Sequence, residues 1–355
     1  MSLDRLRLPR RSPAAHARGM TTTPGTTPHT DLATRTLGRT GPTVTSPGLG
    51  CMGLSGAYGA TDDDESVRVI HRYLDAGGTL LDTGDFYAAG HNEMLIARAL
   101  RERRRDDVTL SVKFGALLTP GGRPAGFTGD PVALRSSLTY SLQRLGTDHV
   151  DVYRPARLDP DVPIEETVGA VAELVEQGYV RHIGLSEVGA DTIRRAAAVA
   201  PISDLQIEYS VLSRGLEDEI LPTCRELGIG ITAYGVLSRG LIGGSGEVGV
   251  RAAYPRFQGE NLEHNAALVA GLQELADEKG ASLAQVATAW VAAQGQDVVP
   301  LVGARRLDQV DSMVASARVV LTEADLARVE ELVPRGAVRG DRYPEAFMGQ
   351  LDSER

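Results

Sequence analysis

The chain has 355 residues, 42% of them hydrophobic and 24% charged, with a formal net charge of −10. Such a composition is typical of a globular protein, and the negative charge argues against a nucleic-acid partner or an anionic membrane surface. No apolar run approaches the about 20 residues that a membrane-spanning helix needs. The two cysteines, Cys51 and Cys224, lie far apart without metal-ligand spacing, so we expect no disulfide framework, no metal and a cytoplasmic location.

Residues 1–34 are rich in Arg, Pro, Thr and Ala and show no hydrophobic period, which predicts a disordered leader. Its twin arginine, Arg10-Arg11, is not followed by an apolar segment, so an export signal is not predicted. Met20 is an alternative start, which leaves open whether residues 1–19 belong to the native protein.

Residues 35–333 are expected to form one folded domain, followed by a C-terminal tail over 334–355. The domain begins with a predicted hairpin that turns at Gly41-Pro42. Short apolar runs then alternate with amphipathic segments, most of which start at a capping residue or end at a glycine. The predicted strands are 48–53, 79–82, 108–113, 150–153, 180–185, 204–207, 229–233 and 298–302. The predicted helices are 64–76, 93–104, 130–145, 164–177, 190–200, 216–227, 263–279, 282–294, 306–317 and 322–332.

Eight strands, nearly all separated by helices, indicate a parallel sheet. The predicted fold class is therefore α/β, a (β/α)8 TIM barrel with a short N-terminal β-hairpin and long βα loops. An open doubly wound sheet is the rival architecture, but it would leave two or three strands over.

The segment Gly48-Leu49-Gly50-Cys51-Met52-Gly53 matches G-x-G-x-x-G, the phosphate-binding fingerprint of dinucleotide folds. In that fingerprint the last glycine lies in the first turn of a helix. Here residues 54–61 read as a loop, and Pro47 precedes the turn. We interpret the match as accidental.

Three polar residues follow consecutive predicted strands. Asp82 ends the second strand, Tyr87 lies in the loop after it, and Lys113 ends the third and is one of only two lysines. The carboxyl ends of barrel strands meet at one face, where these side chains can converge. A tyrosine is a weak proton donor unless a nearby ammonium lowers its pKa, and a carboxylate keeps that ammonium charged. We therefore predict that the three residues deliver a proton to a carbonyl oxygen. The alternatives are a packing role for Tyr87 and a helix-capping or loop salt-bridge role for Asp82 and Lys113.

Several segments resemble the aldo-keto reductase family, in order along nearly the whole predicted domain. They are DTGDFYAAGHNE, KFG at Lys113, SLQRLGTDHVDVY, VPIEETV, IGLSE, QIEYS and AYGVLSRGLIGG. The resemblance implies a barrel that binds NADPH/NADP+ without a dinucleotide fold and reduces aldehydes or ketones. It also places the family's catalytic Asp, Tyr and Lys on Asp82, Tyr87 and Lys113.

The resemblance implies the cofactor site as well. Ser186, Glu187 and Gln206 match positions at the nicotinamide carboxamide, and Tyr234 matches the aromatic residue that stacks on the nicotinamide ring. Adenosine 2′-phosphate binding falls on the segment PLVGARRLDQV, where an arginine favours NADPH over NADH. The remaining implied cofactor residues are Met52, Gly235, Leu237, Arg239, Gly240, Gly303, Arg305 and Gln309.

The chain departs from the family pattern in two places. The histidine that usually orients the substrate carbonyl is replaced by Ala156, and none of the seven histidines lies between His149 and His182. Arg154, Arg157 or a bound water is expected to compensate in part, and a larger pocket is another possible consequence. The second departure is Ser312-Met313, where the family commonly has Glu-Asn against adenine.

The predicted substrate is a small carbonyl compound, and its identity and the oligomeric state are not predicted. Tyr58, Phe86, Phe114 and Arg157 are the candidate residues of the substrate pocket. The tail carries Tyr343, Phe347 and Met348, which could close over that pocket.

Two other functions compete with carbonyl reduction. Potassium-channel β-subunits resemble the family, so a cofactor-binding regulatory or redox-sensing subunit with little turnover is the alternative that Ala156 keeps open. Metal-assisted hydrolysis is weaker, because the sequence shows no cluster of histidine and carboxylate ligands at strand ends.

Overall fold

The computed structural model describes residues 32–244 and 249–355. The predicted leader lies outside the described residues apart from its last three. There, Leu32 is buried in the core, and the first strand starts at Ala33, two residues earlier than predicted.

Eight parallel strands close into a barrel, which confirms the predicted fold class. Around the barrel the order is β3, β4, β5, β8, β9, β10, β11, β12 and back to β3. A β1–β2 hairpin with antiparallel pairing precedes it, as predicted, and a second hairpin, β6–β7, was not predicted. The strands are β1 Ala33–Thr36, β2 Thr43–Ser46, β3 Gly48–Gly50, β4 Leu80–Gly84, β5 Thr109–Phe114, β6 Ala116–Leu118, β7 Pro124–Phe127, β8 Val150–Pro155, β9 Val180–Ser186, β10 Ile202–Glu208, β11 Gly230–Tyr234 and β12 Val298–Gly303.

Helices surround the barrel, and most boundaries lie within two or three residues of the predicted ones. The predicted helix 263–279 is instead two helices that meet at Leu272, whose φ of −81° and ψ of −12° lie in the right-handed helical region. The capping box of Thr322 and Asp325 is present at the start of α11. The helices are α1 Asp63–Asp75, α2 His91–Leu100, α3 Pro131–Leu145, α4 Ile164–Glu176, α5 Ala190–Val199, α6 Ile220–Leu227, α7 Gly259–Gly271, α8 Gln273–Glu278, α9 Leu283–Ala293, α10 Leu307–Ala315, α11 Glu323–Leu332 and α12 Glu345–Met348.

Strand alternation sorts side chains between the barrel interior and the helical layer. Phe114 points outward, where its ring stacks on Tyr153 at a centroid distance of 4.3 Å within the main apolar core. Lys113, one position earlier, points inward toward Asp82. The outer layer is therefore apolar, while the interior near the carboxyl ends of the strands carries polar groups.

Within 32–244 and 249–355, no helix has the combination of length and apolar character that crossing a membrane requires.

Candidate active site

Asp82 and Lys113 form a buried ion pair at the carboxyl ends of β4 and β5. Lys113 Nζ lies 2.5 Å from Asp82 Oδ1, and the two residues are only 5% and 4% exposed. Ser111 Oγ and Gln206 Nε2 each donate to Asp82 Oδ2 at 2.8 Å. Burial alone raises the pKa of Asp82, but Lys113 and Arg154 outweigh it, so the net pKa is lowered and Asp82 is a carboxylate.

Tyr87 lies beside this pair, in the turn that follows β4. Lys113 Nζ is 5.2 Å from the centroid of the Tyr87 ring, and Phe86 packs edge-on against the same ring at 4.8 Å. The turn continues through Ala88 and Ala89 at φ values of 47° and 51°, a left-handed conformation that costs energy for residues other than glycine. The structure thus brings the three predicted proton-transfer residues together at the face where barrel chemistry occurs.

The direction of the Tyr87 pKa shift differs from the expectation. Burial first, and then the negative charge of Asp82, raise the pKa of Tyr87 well above its ordinary value. Lys113 cannot reverse this, because its charge is largely offset by Asp82 at 2.5 Å, while Arg157 acts in the lowering direction. Tyr87 is therefore a fully protonated phenol at neutral pH.

Lys113 is itself affected by its surroundings. Burial lowers its pKa, and Asp82 restores it only in part. The ammonium is consequently held by one carboxylate and titrates at a lower pH than an exposed lysine.

A second ion pair lies inside the barrel and was missed by the sequence analysis. Arg154 is fully buried, and its Nη1 lies 2.9 Å from Asp204 Oδ2 and donates to Thr232 Oγ1 at 2.9 Å. Its Nη2 donates to Ser111 Oγ at 3.0 Å, and Ser111 donates to Asp82. One signal could have revealed this network. Ser111 and Lys113 in β5, like Asp204 and Gln206 in β10, are polar residues two positions apart, and this spacing places each pair on one face of its strand.

Ala156, which the sequence resemblance aligns with the histidine of the family, follows β8 and is 2% exposed. The next residue, Arg157, is half-buried and donates from Nη1 to the Ala156 carbonyl at 2.6 Å and from Nη2 to Tyr343 Oη at 3.4 Å. Burial lowers the pKa of Arg157, but Tyr234, Tyr343 and Glu187 together raise it further, so it is a cation. The guanidinium of Arg157 therefore places a positive charge beside Ala156.

The candidate pocket residues fall in different places. Phe86 contacts Tyr87, and Tyr58 is 42% exposed in the loop after β3. Phe114 is a wrong prediction, because strand alternation turns its ring into the core between strands and helices. In the tail, the Tyr343 hydroxyl accepts a hydrogen bond from Arg157, whereas Phe347 is 39% exposed.

The residues assigned to the nicotinamide end surround the same face of the barrel. Ser186 ends β9 and is buried, and Gln206 of β10 is bound to Asp82. Glu187 is fully buried and binds Tyr234 and the C-terminal tail. Met52 lies in the turn after β3.

The loop after β11 carries four of the residues that the resemblance assigns to the cofactor: Gly235, Leu237, Arg239 and Gly240. Gly235, Ser238, Arg239 and Gly240 all have positive φ, from 46° to 87°. Arg239 Nη1 lies 3.1 Å from Glu208 Oε2. The φ of 87° at Gly240 is a conformation that residues with a side chain rarely adopt, so this position favours glycine. The loop is thus held in a conformation that brings backbone amides close together.

The residues assigned to the adenosine phosphate follow β12. Arg305 donates from its guanidinium to the carbonyls of Tyr58 and Ala60, both at 2.8 Å, and from its backbone N–H to Gln309 Oε1 at 2.8 Å. Its Nε is buried without a hydrogen-bond partner. The neighbouring Arg306 is exposed and pairs with Asp308 at 2.9 Å.

A closed parallel barrel with a carboxylate–lysine pair and a tyrosine at the carboxyl ends of its strands defines the class, a (β/α)8-barrel enzyme. The sequence model of the aldo/keto reductase family matches residues 48–334. A relative from Glycine max named "Probable aldo-keto reductase 1" is 43% identical over 314 residues, covering 86% of this chain and 90% of its own. The chain therefore belongs to the aldo/keto reductase family of oxidoreductases.

Solved structures show the same relationship. A glycerol dehydrogenase from Gluconobacter oxydans superimposes with a TM-score of 0.79 at 28% identity, covering 88% of this chain and 98% of its own. An aldo-keto reductase from Bacillus halodurans gives a TM-score of 0.71 at 27% identity, covering 85% and 96%.

Proposed function

We propose that this protein reduces aldehydes or ketones to alcohols with NADPH, using Tyr87 as proton donor. The observation that carries the proposal is the buried Asp82–Lys113 pair with the Tyr87 ring 5.2 Å from the Lys113 ammonium. A proton donor and a fixed cation at the same strand ends are what reduction of a carbonyl requires.

A nicotinamide cofactor held by residues such as Ser186, Gln206 and Tyr234 would supply the hydride that the carbonyl carbon needs. Tyr87 gives its phenolic proton to the carbonyl oxygen, and solvent later returns a proton to the phenolate. Since the pKa of Tyr87 is raised, it holds the proton until negative charge develops on the substrate. Lys113 stabilises the resulting phenolate, and Asp82 keeps Lys113 charged and oriented.

Arg157 is the residue proposed to act in place of the missing histidine. Its guanidinium is cationic and half-buried, and its charge acts on Tyr87. Arg154, the other candidate, points into the barrel interior, where Asp204 holds it. We assign to Arg157 the task of drawing the carbonyl oxygen toward the proton donor.

The residues present fit a nicotinamide dinucleotide phosphate. The positive-φ turn at 238–240 suits close approach of backbone amides to a pyrophosphate. The unpartnered Nε of Arg305 is a donor that a phosphate oxygen could satisfy, and Arg306 adds a second positive charge. These features support NADPH over NADH.

The decisive experiment follows NADPH absorbance with aldehydes, quinones and bulky ketones. Because one structural relative is a glycerol dehydrogenase, glycerol with NADP+ is included. We expect turnover that Tyr87→Phe abolishes and that Tyr140→Phe, a change at an exposed tyrosine of α3, leaves intact. Tight NADPH binding without turnover of any compound would instead favour the regulatory-subunit function.

A cytoplasmic location is proposed because Cys51 and Cys224 are both free and buried.

A further inference from the structure

The carboxylate of Glu187 connects three separate parts of the chain. It accepts hydrogen bonds from Tyr234 Oη of β11 at 2.7 Å and from the backbone N–H of Glu208 in β10 at 2.9 Å. From the tail, Arg342 donates from Nη1 at 2.9 Å and from Nη2 at 2.5 Å, and Ser353 Oγ donates at 2.7 Å. All of the lone pairs that a cofactor could use are thereby occupied by the protein itself.

The charge state of Glu187 is set by these contacts. Burial raises its pKa, but the Arg342 hydrogen bonds and charge, followed by Arg157, overcome this and bring the pKa to about 2. Glu187 is therefore an ionised carboxylate that only accepts hydrogen bonds. Its backbone φ of 54° shows that the chain adopts an unfavourable conformation where this side chain is placed.

An ionised Glu187 determines the direction of the hydrogen bonds around Tyr234. Tyr234 must donate its proton to Glu187, so Tyr343 Oη, 3.0 Å away, must donate to Tyr234. Arg157 in turn donates to Tyr343 at 3.4 Å. A directed chain thus runs from Arg157 through Tyr343 and Tyr234 to Glu187, where Arg342 compensates the charge, and each bond polarises the next.

The tail has further attachments at the same strand ends. Arg342 Nη1 lies 3.5 Å from Glu208 Oε2 at the end of β10. Within the tail itself, Arg342 Nε donates to Glu354 Oε1 at 2.7 Å. The backbone N–H of Gly189 donates to Asp352 Oδ2 at 2.8 Å, and that of Ser353 to the Glu187 carbonyl at 3.3 Å. Residues 342–354 are thus fastened to the loop after β9 and to the end of β10.

We propose that Glu187 and Arg342 are positioning residues that couple docking of the C-terminal tail to the orientation of the Tyr234 ring. The inference rests on the proposed function and on the family resemblance, which implies that Tyr234 stacks on the nicotinamide ring. When either partner of the Glu187–Arg342 pair is neutralised, the charge-assisted contacts that hold the Tyr234 hydroxyl and the tail at Glu187 are weakened. The nicotinamide end of the cofactor is then bound less tightly, while the adenosine end is unaffected.

The test compares binding of whole NADPH with binding of adenosine 2′,5′-bisphosphate, which has no nicotinamide, by calorimetry. The variants are Glu187→Gln, Arg342→Met and Ser353→Ala. Arg335→Met is the matched control, since Arg335 is a tail arginine that pairs with Glu217 and Asp218 instead. A lost charge-assisted hydrogen bond corresponds to about a tenfold or greater change in Kd.

We expect Glu187→Gln and Arg342→Met to weaken NADPH binding about tenfold or more, Ser353→Ala to weaken it less, and none to change binding of the bisphosphate. Equal weakening of both ligands, or no weakening of either, overturns the inference. If Glu187→Gln does not fold, Arg342→Met and Ser353→Ala decide the outcome alone. Wild-type protein that binds neither ligand would instead refute the proposed function.

A second measurement follows from the reciprocity of coupling. If tail docking orients Tyr234, then NADPH must slow amide hydrogen exchange over residues 342–354 of the wild-type protein. In Glu187→Gln this protection should vanish, even at cofactor concentrations that saturate the site. Equal NADPH-dependent protection in wild type and variant would show that the coupling does not pass through Glu187 and would overturn the inference.

Discussion

Lys113 Nζ lies 2.5 Å from Asp82 Oδ1 in a part of the barrel that solvent barely reaches. Burial lowers the pKa of Lys113 below its ordinary 10.5, and Asp82 compensates only in part. Since the ammonium is the form that assists Tyr87, loss of its proton as pH rises should lower the reduction rate. Protonation of Asp82 should not lower the rate at moderately acidic pH, because the lowered pKa of Asp82 keeps this carboxylate ionised.

The first prediction concerns the fall in reduction rate at high pH, which is the alkaline limb of the pH profile. In a pH profile of kcat/KM, we expect the rate to fall with a midpoint below 10.5. Lys113→Met should lower the rate about 100-fold or more at neutral pH. Lys113→Arg keeps a charge that does not titrate, so any activity it retains should lack the alkaline limb. The same limb in Lys113→Arg would assign the titration to another group.

The second prediction concerns the buried pair of Arg154 and Asp204. Arg154→Met leaves Asp204 charged, buried and without its cation, which we expect to lower the free energy of unfolding by about 3–5 kcal/mol. Chemical denaturation measures the change. Adding Asp204→Leu to Arg154→Met removes the unpaired charge and should restore a large part of the loss. As control, Arg195→Met breaks the exposed pair with Glu165 and should leave the free energy of unfolding nearly unchanged.

The third prediction concerns Ala156. Ala156→His introduces an imidazole beside Arg157, and we expect turnover of small aldehydes to change about tenfold or more. Ala156→Leu adds bulk at the same buried position without a donor, so it separates the chemistry of the imidazole from a change in pocket size. An unaltered rate in Ala156→His would contradict the assignment of this position to the carbonyl site.

The fourth prediction concerns the choice between NADPH and NADH. Arg305→Gln should raise the KM for NADPH about tenfold or more and leave that for NADH nearly unchanged, because only NADPH carries the 2′-phosphate. Arg305 also holds the carbonyls of Tyr58 and Ala60, and loss of that role would affect both cofactors equally. Arg306→Gln is the neighbouring control; a larger effect there would move the phosphate contact to Arg306.

Much of the site was predictable because its parts follow strands. Asp82 and Lys113 each come at the end of an apolar run, and parallel strands in a barrel present such residues at one face. The Phe114 prediction failed for the same geometric reason, since neighbouring residues of a strand face opposite sides. The Tyr87 pKa could not be predicted, because its shift depends on burial and on the distances of Asp82 and Arg157 from the phenol.

The alternation of strands and helices, the motif order and the candidate proton-transfer residues were determined by the sequence itself, because they depend on periodicity, local spacing and the family resemblance of the motifs. Only the tertiary structure decided how Arg154 pairs with Asp204, 50 residues apart, and how Glu187 meets Arg342, 155 residues apart. No local pattern encodes such contacts, because the barrel must close and the tail must return before the two partners are near each other.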